Sequence, residues 1–269
     1  MSVLDRGFLF ADGVYEVTAV LDGRLVDSAA HLARLGRSAA AIGVPLPLPA
    51  GDIEAIEREL IARDTIARGM IYLQLTRGAA DDRDFLPRPD TRPTLLLFTQ
   101  SRDILANPAV ETGVSVVTLP ELRWARRDIK STALLAQVMA KQAAAAAGAQ
   151  EAWLVEDGRV TEGASSNALI VNGDGVLVTR DLSSALLPGC TRAAVLALAA
   201  RDGVAVEERA FTVAEALAAR EAMLTSASNF VLPVTRIDGR AIGDGRPGPV
   251  TRRLRELYIA AARAGGTPA

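Results

Sequence analysis

Apolar residues along this chain recur with two periods, and the change from one to the other marks out its elements. Val14–Leu21 alternates, and Arg24–Val26 continues beyond Asp22-Gly23, a pair that predicts a two-residue hairpin turn. From about Ala29 to Ile42 the spacing becomes helical. Leu32, Leu35, Ala39 and Ile42 share a face, with Ser28 as the expected N-cap, and Pro45, Pro47 and Pro49 end the run. A second helix after Asp52 is expected to bury Ile53, Ile56 and Leu60. Met70–Thr76 and Thr94–Thr99 read as strands.

The stretch Ser101–Gly113 is weakly periodic and contains Pro108, so it reads as a connection. Beyond it the pattern predicts a strand at Val114–Thr118, a helix at Ser131–Ala147, and strands near Ala152–Val155 and Ala168–Val171. A helix then starts near Thr191, strands follow at Val204–Arg209 and Ala222–Thr225, and a last helix runs from about Val250 to Ala264. This mixture predicts an α+β or α/β chain in two lobes: a small one at 1–104, a connection at 105–113, and a larger one at 114–269.

Composition narrows the function classes. A chain of 269 residues, 49% apolar, can form one large domain or two modest ones with proper cores. Its net charge of −2 supplies no general field for nucleic acid or anionic membrane, and neither partner is expected. No apolar run reaches membrane-spanning length, and the N-terminal residues lack the apolar core of a signal peptide. The lone Cys190 forbids an intrachain disulfide and fits a reducing compartment, so a soluble, cytoplasmic protein is expected. His31 is the only histidine, which excludes a metal site built on several His ligands.

Lysine is scarce, which a general replacement of lysine by arginine would also produce, so the count only shows where to look. Only Lys130 and Lys141 occur, although Lys and Arg together number 30. Arginine replaces lysine as a surface charge but not as an amine nucleophile. Lys130 lies just before a predicted apolar helix, where the positive dipole end would favour the neutral amine. The other reading makes it a partner for Asp128 or Glu121. Three further clusters stand out. Thr161-Glu162-Gly163-Ala164-Ser165-Ser166-Asn167 surrounds a carboxylate with small hydroxyl residues, as in a loop closing on a polar ligand, or simply in an exposed turn. Leu187-Pro188-Gly189-Cys190-Thr191-Arg192 opens a helix and offers an anion cradle, or only an N-cap at Thr191. His31 and Arg34 share a helix face, and Arg34 could fork onto a phosphate or be one more surface arginine.

These residues resemble a known family. Asp5-Arg6-Gly7-Phe8, Asp12-Gly13-Val14-Tyr15-Glu16, His31 with Arg34, Ile129-Lys130-Ser131, Thr161-Glu162-Gly163 and Gly189-Cys190-Thr191-Arg192 occur in the order seen in fold-type IV pyridoxal-phosphate (PLP) enzymes. The segment from Leu122-Arg123-Trp124 to Ala140-Lys141-Gln142 is most similar to D-amino-acid transaminases. The resemblance implies an α+β, fold-type IV architecture of two α/β lobes with PLP between them, and a homodimer whose partner contributes the loop around Arg83. It implies that Lys130 is the Schiff-base lysine and proton shuttle, and that Glu162 meets the pyridine nitrogen. Arg34, Cys190 and Thr191 would hold the phosphate, with a further contact at Ser226 and Ala227, the latter through backbone. Leu187 would lie under the ring and Tyr15 would line the substrate pocket. The implied reaction is ping-pong transfer between D-amino acids, of the D-alanine or D-glutamate type, and 2-oxo acids.

Two departures qualify the match. Family members carry roughly twenty further residues before Asp5-Arg6-Gly7, so a shortened start or a missing edge strand is expected. The Arg-x-His pair that usually holds the substrate carboxylate is replaced by Asp82-Arg83-Asp84, which makes Arg83 the candidate. Alternatives are a branched-chain L-amino-acid or (R)-amine transaminase, an aminodeoxychorismate lyase-like enzyme, and, outside catalysis, a PLP-binding or storage protein.

Overall fold

The computed structural model describes residues 1–265, which fall into two compact units. The first comprises Met1–Asp103 together with Ile129–Leu134, and the second Ile104–Asp128 together with Leu135–Ala269. The short return of Ile129–Leu134 to the first unit was not expected from the sequence.

In the first unit a short helix α1 (Arg6–Phe10) precedes the hairpin β1 (Gly13–Leu21) and β2 (Arg24–Leu25). Asp22 and Gly23 both take positive φ, 50° and 74°, as the expected turn requires. Helices α2 (Ser28–Ala41) and α3 (Ala50–Asp64) follow, then strands β3 (Arg68–Thr76) and β4 (Thr94–Ser101). The antiparallel sheet has the order β2-β1-β3-β4. Its core joins Val14, Leu73 and Leu75 to Leu32, Leu35 and Ala39 of α2 and Ile53 of α3, with Ile129 packed among them. Each such aliphatic burial stabilises by about 1.5–3 kcal/mol before entropy is counted.

Two helix details differ from expectation. Ser28 is inside α2, and Asp27 is the N-cap residue, at φ 56°, with no side-chain cap bond. Asp is among the few residues that tolerate this left-handed turn. Helix α3 begins at Ala50 and buries Ile53, Glu57 and Ile61 rather than Ile53, Ile56 and Leu60. The helix is rolled so that a strict four-residue spacing faces inward, carrying a carboxylate with it.

The second unit starts with α4 (Ala109–Thr112), lodged in the expected connection, then β5 (Val114–Pro120), α5 (Leu135–Ala146), β6 (Glu151–Glu156), β7 (Arg159–Gly163), β8 (Asn167–Val171) and β9 (Leu177–Thr179). Next come α6 (Cys190–Arg201), β10 (Val206–Glu208), α7 (Val213–Leu217), β11 (Glu221–Ser226), β12 (Phe230–Ile237), β13 (Arg240–Ala241) and α8 (Pro249–Arg263). The sheet runs β10-β9-β8-β11-β12-β5-β6-β7, with β13 paired to β12. Its core gathers Trp153, Phe211, Ile170, Val178, Leu224 and Val234.

Helix α5 starts at Leu135, not at Ser131. Ser131 instead bridges to Val14, the Thr132 amide donates to the Gly13 carbonyl at 3.0 Å, and the Ser131 hydroxyl accepts from the Ala133 amide at 3.1 Å. Strand pairing and a serine turn thus take the backbone groups that a helical turn would have used. Strand β12 was not expected from the sequence, and Pro233 interrupts its strand pattern. Pro233 lies opposite Met223 of β11, while pairing with β5 begins only at Val234, so its missing N–H costs no β5 ladder bond there.

Candidate active site

Strand alternation sorts the candidates of the first unit. On β1, Val14, Glu16 and Thr18 are buried, while Tyr15 and Val17 are half-buried. Tyr15 lies in an aromatic row, stacked on Tyr72 at 5.7 Å, which stacks on Phe98 at 4.9 Å. Lys130 is bound to this strand by its backbone: the Tyr15 amide donates to the Lys130 carbonyl at 3.0 Å, and the Lys130 amide donates to Ser38 Oγ at 3.2 Å. Lys130 Nζ stands 4.2 Å from the centroid of the Tyr15 ring. Among the described residues it makes no hydrogen bond or ion pair. The carboxylates that could have claimed it are taken, Asp128 by Arg126 at 2.9 Å and Glu121 by Arg123 at 2.6 Å. Lys141, by contrast, donates to the Gln150 carbonyl at 2.7 Å. The expected placement of Lys130 against a helix dipole does not hold, because α5 begins five residues later.

Arg34 is not a surface arginine. It is 4% exposed, and it grips Glu16 with two arms, Nε to Oε1 at 2.8 Å and Nη2 to Oε2 at 2.7 Å. His31 Nδ1 lies 2.7 Å from Glu16 Oε2. Burial opposes ionisation of Glu16, but Arg34 and His31 overcome it and bring its pKa down to about 2. Arg83 is exposed, with its guanidinium carbon 4.8 Å from the Phe10 ring centroid and 5.2 Å from that of Phe85. It forms no ion pair with Asp82 or Asp84 among the described residues. Arg6, which the sequence reading left without a role, donates to the carbonyls of Asp84 at 2.5 Å and Phe85 at 2.8 Å and so shapes that loop.

In the second unit Glu162 sits at the end of β7, not in a loop, and is 3% exposed. Its oxygens accept from Arg123 Nη1 at 2.6 Å, Asn167 Nδ2 at 3.0 Å and the Leu187 amide at 3.1 Å. Burial pushes its pKa up to about 7, against the pull of Arg123. Arg123 also holds Glu121 with Nε at 2.9 Å and Nη2 at 2.6 Å. The neighbouring hydroxyls serve other carboxylates: Ser165 and Ser166 donate to Glu151 at 2.8 and 3.2 Å, and Thr161 donates to Glu121 at 2.9 Å.

Asn167 ties this carboxylate to the helix start. Its amide donates to Glu162 and to the Leu187 carbonyl, both at 3.0 Å, and a Cβ at Gly189 would collide with its Oδ1. Helix α6 opens at Cys190 and Thr191, 8% and 4% exposed, and no side chain caps it. Uncapped N–H groups, a Thr hydroxyl and a Gly that permits close approach make a donor set for a phosphate. Asn167 pairs with Thr225 in the β8–β11 register, which places Ser226 and Ala227 at the adjoining strand end. Thr225 Oγ1 is buried with no hydrogen-bond partner among the described residues, an orphaned donor beside that turn.

Glu162, Leu187, Cys190, Thr191 and Ser226-Ala227 are therefore assembled within the second unit, as Tyr15 and Lys130 are within the first. Arg34 is engaged by Glu16 and Arg83 lies on aromatic rings. Sequence reasoning missed Arg123 and Asn167 as supports of Glu162. Asn167 follows the Thr-Glu-Gly run and Arg123 opens the segment most similar to D-amino-acid transaminases, both usable signals, but neither spacing shows a contact with Glu162. Among the described residues no group of His, Cys, Asp and Glu could hold a metal ion, and no helix is long and apolar enough to cross a membrane.

The family model described as amino-transferase class IV matches residues 13–237. The chain is 38% identical over 258 residues to the D-alanine aminotransferase of Staphylococcus aureus (strain MSSA476), covering 96% of this chain and 91% of that one. It is 40% identical over 256 residues to the D-alanine aminotransferase of Bacillus licheniformis, covering 94% and 89%. Among solved structures it is similar to a hypothetical aminotransferase from Mycobacterium tuberculosis in its PLP-bound form, with TM-score 0.84, 25% identity, and coverage of 98% and 94%.

Proposed function

The chain belongs to the class IV aminotransferase family, and from that premise we propose that it is a PLP-dependent transaminase moving the amino group of D-alanine or D-glutamate to a 2-oxo acid. The observation that carries this reading is identity of 38–40% to D-alanine aminotransferases across nearly the whole chain. The donor set fits the cofactor: a partner-free amine, a buried carboxylate and an uncapped helix start.

When bound, PLP supplies an electron sink for the pair left as the amino acid loses its α proton. Lys130 Nζ would tether the cofactor and, once displaced by the incoming amine, would take the α proton and deliver it to the cofactor carbon on the far side of the transferred nitrogen. The Tyr15 ring beneath it fixes where the amine can reach. Glu162 would accept the ring N–H, and a cation there would favour its ionised form, opposing the burial that holds its pKa at about 7 despite Arg123. Arg123 and Asn167 keep that carboxylate in one rotamer, and the Leu187 side chain packs against the ring. The N–H groups of Cys190 and Thr191, with the Ser226-Ala227 turn, hold the phosphate. Arg34, through Glu16, fixes the inner face of β1, the strand that carries Tyr15, and its guanidinium supports the phosphate. Arg83 meets the substrate carboxylate. The protein works as a cytoplasmic homodimer on small amino and 2-oxo acids.

The test is a coupled assay with purified protein, D-alanine and 2-oxoglutarate. Pyruvate and D-glutamate are expected in equal amounts. Cofactor uptake without either product would make the chain a PLP-binding protein.

A further inference from the structure

Arg255 lies on α8 and is 6% exposed. Both of its hydrogen bonds leave Nη1, to the carbonyls of Asn229 at 2.7 Å and Val231 at 2.8 Å. No carboxylate lies within ion-pair distance among the described residues. Burial lowers its pKa from the ordinary arginine value, with Glu111 the only charge acting in the other direction. A guanidinium stays protonated under such a shift. A buried cation without a counter-charge is costly, and a nearby anion would offset that cost.

The two carbonyls flank Phe230, which takes a left-handed φ of 59° although it is not glycine. Phe230 is fully buried, its ring 4.9 Å from that of Tyr258, one helical turn beyond Arg255. The Asn229 side chain in turn donates toward Ser226 Oγ at 3.4 Å and Ser228 Oγ at 3.3 Å, and receives a bond from Asn107 at 3.3 Å. Arg255 thus holds the carbonyl that ends the 226–229 turn, Tyr258 packs on the adjoining Phe230 ring, and Asn229 orients the turn's hydroxyls. The orphaned Thr225 Oγ1 stands at the head of the same turn.

We propose that Arg255 is a positioning residue for phosphate recognition, which clamps the 226–229 turn through the Asn229 and Val231 carbonyls and places beside it a buried positive charge with no ion-pair partner among the described residues. The inference rests on the reading that this turn meets the cofactor phosphate. Its function is to favour a dianionic phosphate over a neutral group at the turn, so its loss weakens binding of PLP and not of pyridoxal, which lacks the phosphate.

The full-length protein stripped of cofactor is titrated with PLP and, separately, with pyridoxal, following the visible absorbance of each complex. For Arg255→Gln the account expects a loss of about tenfold in PLP affinity, the size of one charge-assisted contact, and a change below about twofold for pyridoxal. Arg255→Lys keeps the charge but on a shorter side chain that reaches the two carbonyls less well, and is expected to lose about threefold for PLP alone. Should Arg255→Gln fail to fold, Arg255→Lys decides the matter, expected to weaken PLP selectively. Equal losses for both ligands, or no loss, overturn the proposal while leaving the transaminase reading intact. Wild type taking up neither ligand overturns that reading and the proposal with it.

Discussion

The amine of Lys130 lies over the ring of Tyr15, 4.2 Å from its centroid, and has no carboxylate partner among the described residues. The ring positions an amine that the rest of the first unit leaves free to react. Tyr15→Phe keeps the ring and is expected to retain most turnover, whereas Tyr15→Ala removes about 0.5–2 kcal/mol of cation–π attraction and is expected to slow it several-fold. Steady-state rates with D-alanine decide this. Equal defects in both variants would assign the role to the hydroxyl.

Glu162 is held by Arg123, Asn167 and the Leu187 amide, so Glu162→Gln preserves shape while removing charge. We expect turnover to fall about tenfold or more with cofactor still bound, because the ring nitrogen loses its counter-charge. Unchanged turnover would remove Glu162 from that role.

Arg34 and Glu16 form a buried, two-armed pair. Arg34→Ala leaves the carboxylate with His31 alone, and is expected to destabilise the fold by roughly 3–5 kcal/mol. Denaturant unfolding of Arg34→Ala and of Arg34→Ala with Glu16→Gln checks it, the second change restoring part of the loss. Arg34→Ala is also expected to weaken PLP affinity more than it slows chemistry at saturating PLP. A loss below about 1 kcal/mol would contradict the pairing.

Glu57 is buried at 1% exposure, and its Oε2 has no hydrogen-bond partner among the described residues. Burial raises its pKa from 4.5 to about 7, with His31 opposing the shift, Glu54 and Glu16 adding to it, and Arg58 opposing it weakly. The folded state therefore binds more protons than the unfolded one between about pH 4.5 and 7. Stability from this group is highest at low pH and declines as pH rises through that window, by no more than about 3 kcal/mol. Glu57→Gln is expected to melt higher than wild type at pH 8 and close to it at pH 5. A variant less stable at pH 8 would refute this.

Much of this was legible in the sequence because it depended on local pattern. The Asp22-Gly23 turn, the strand run at Val14–Leu21 and the helix face of Leu32, Leu35 and Ala39 all stand where periodicity placed them. The misreadings arose where distant chain supplied the partner. Ser131 and Thr132 look helical, yet β1 takes their backbone groups. Arg34 and His31 do share a helix face, but it turns inward because Glu16 alternates onto the buried side of β1. The hydroxyls beside Glu162 were correctly grouped, yet they serve Glu151 and Glu121, since neighbours on a turn need not point the same way. Strand β12, interrupted by Pro233, was not expected, and only its pairing pattern shows why a proline is tolerated there.

Handedness of the substrate follows from which way its carboxylate is drawn. Arg83 rests on Phe10 and Phe85 with no ion pair among the described residues, so its charge is available. Arg83→Ala is expected to raise KM for D-alanine about tenfold or more and to spare (R)-amines that lack a carboxylate. Efficient use of L-leucine or L-valine with none of D-alanine would favour the branched-chain alternative.

The most direct test of the whole account is to locate the cofactor. Borohydride reduction of the PLP-loaded protein, followed by peptide mapping, is expected to place the added mass on the peptide carrying Lys130. The only other lysine, Lys141, is already bound to the Gln150 carbonyl and is expected to remain unlabelled. Label on Lys141, or on neither, would contradict the claim that the amine above Tyr15 holds the cofactor.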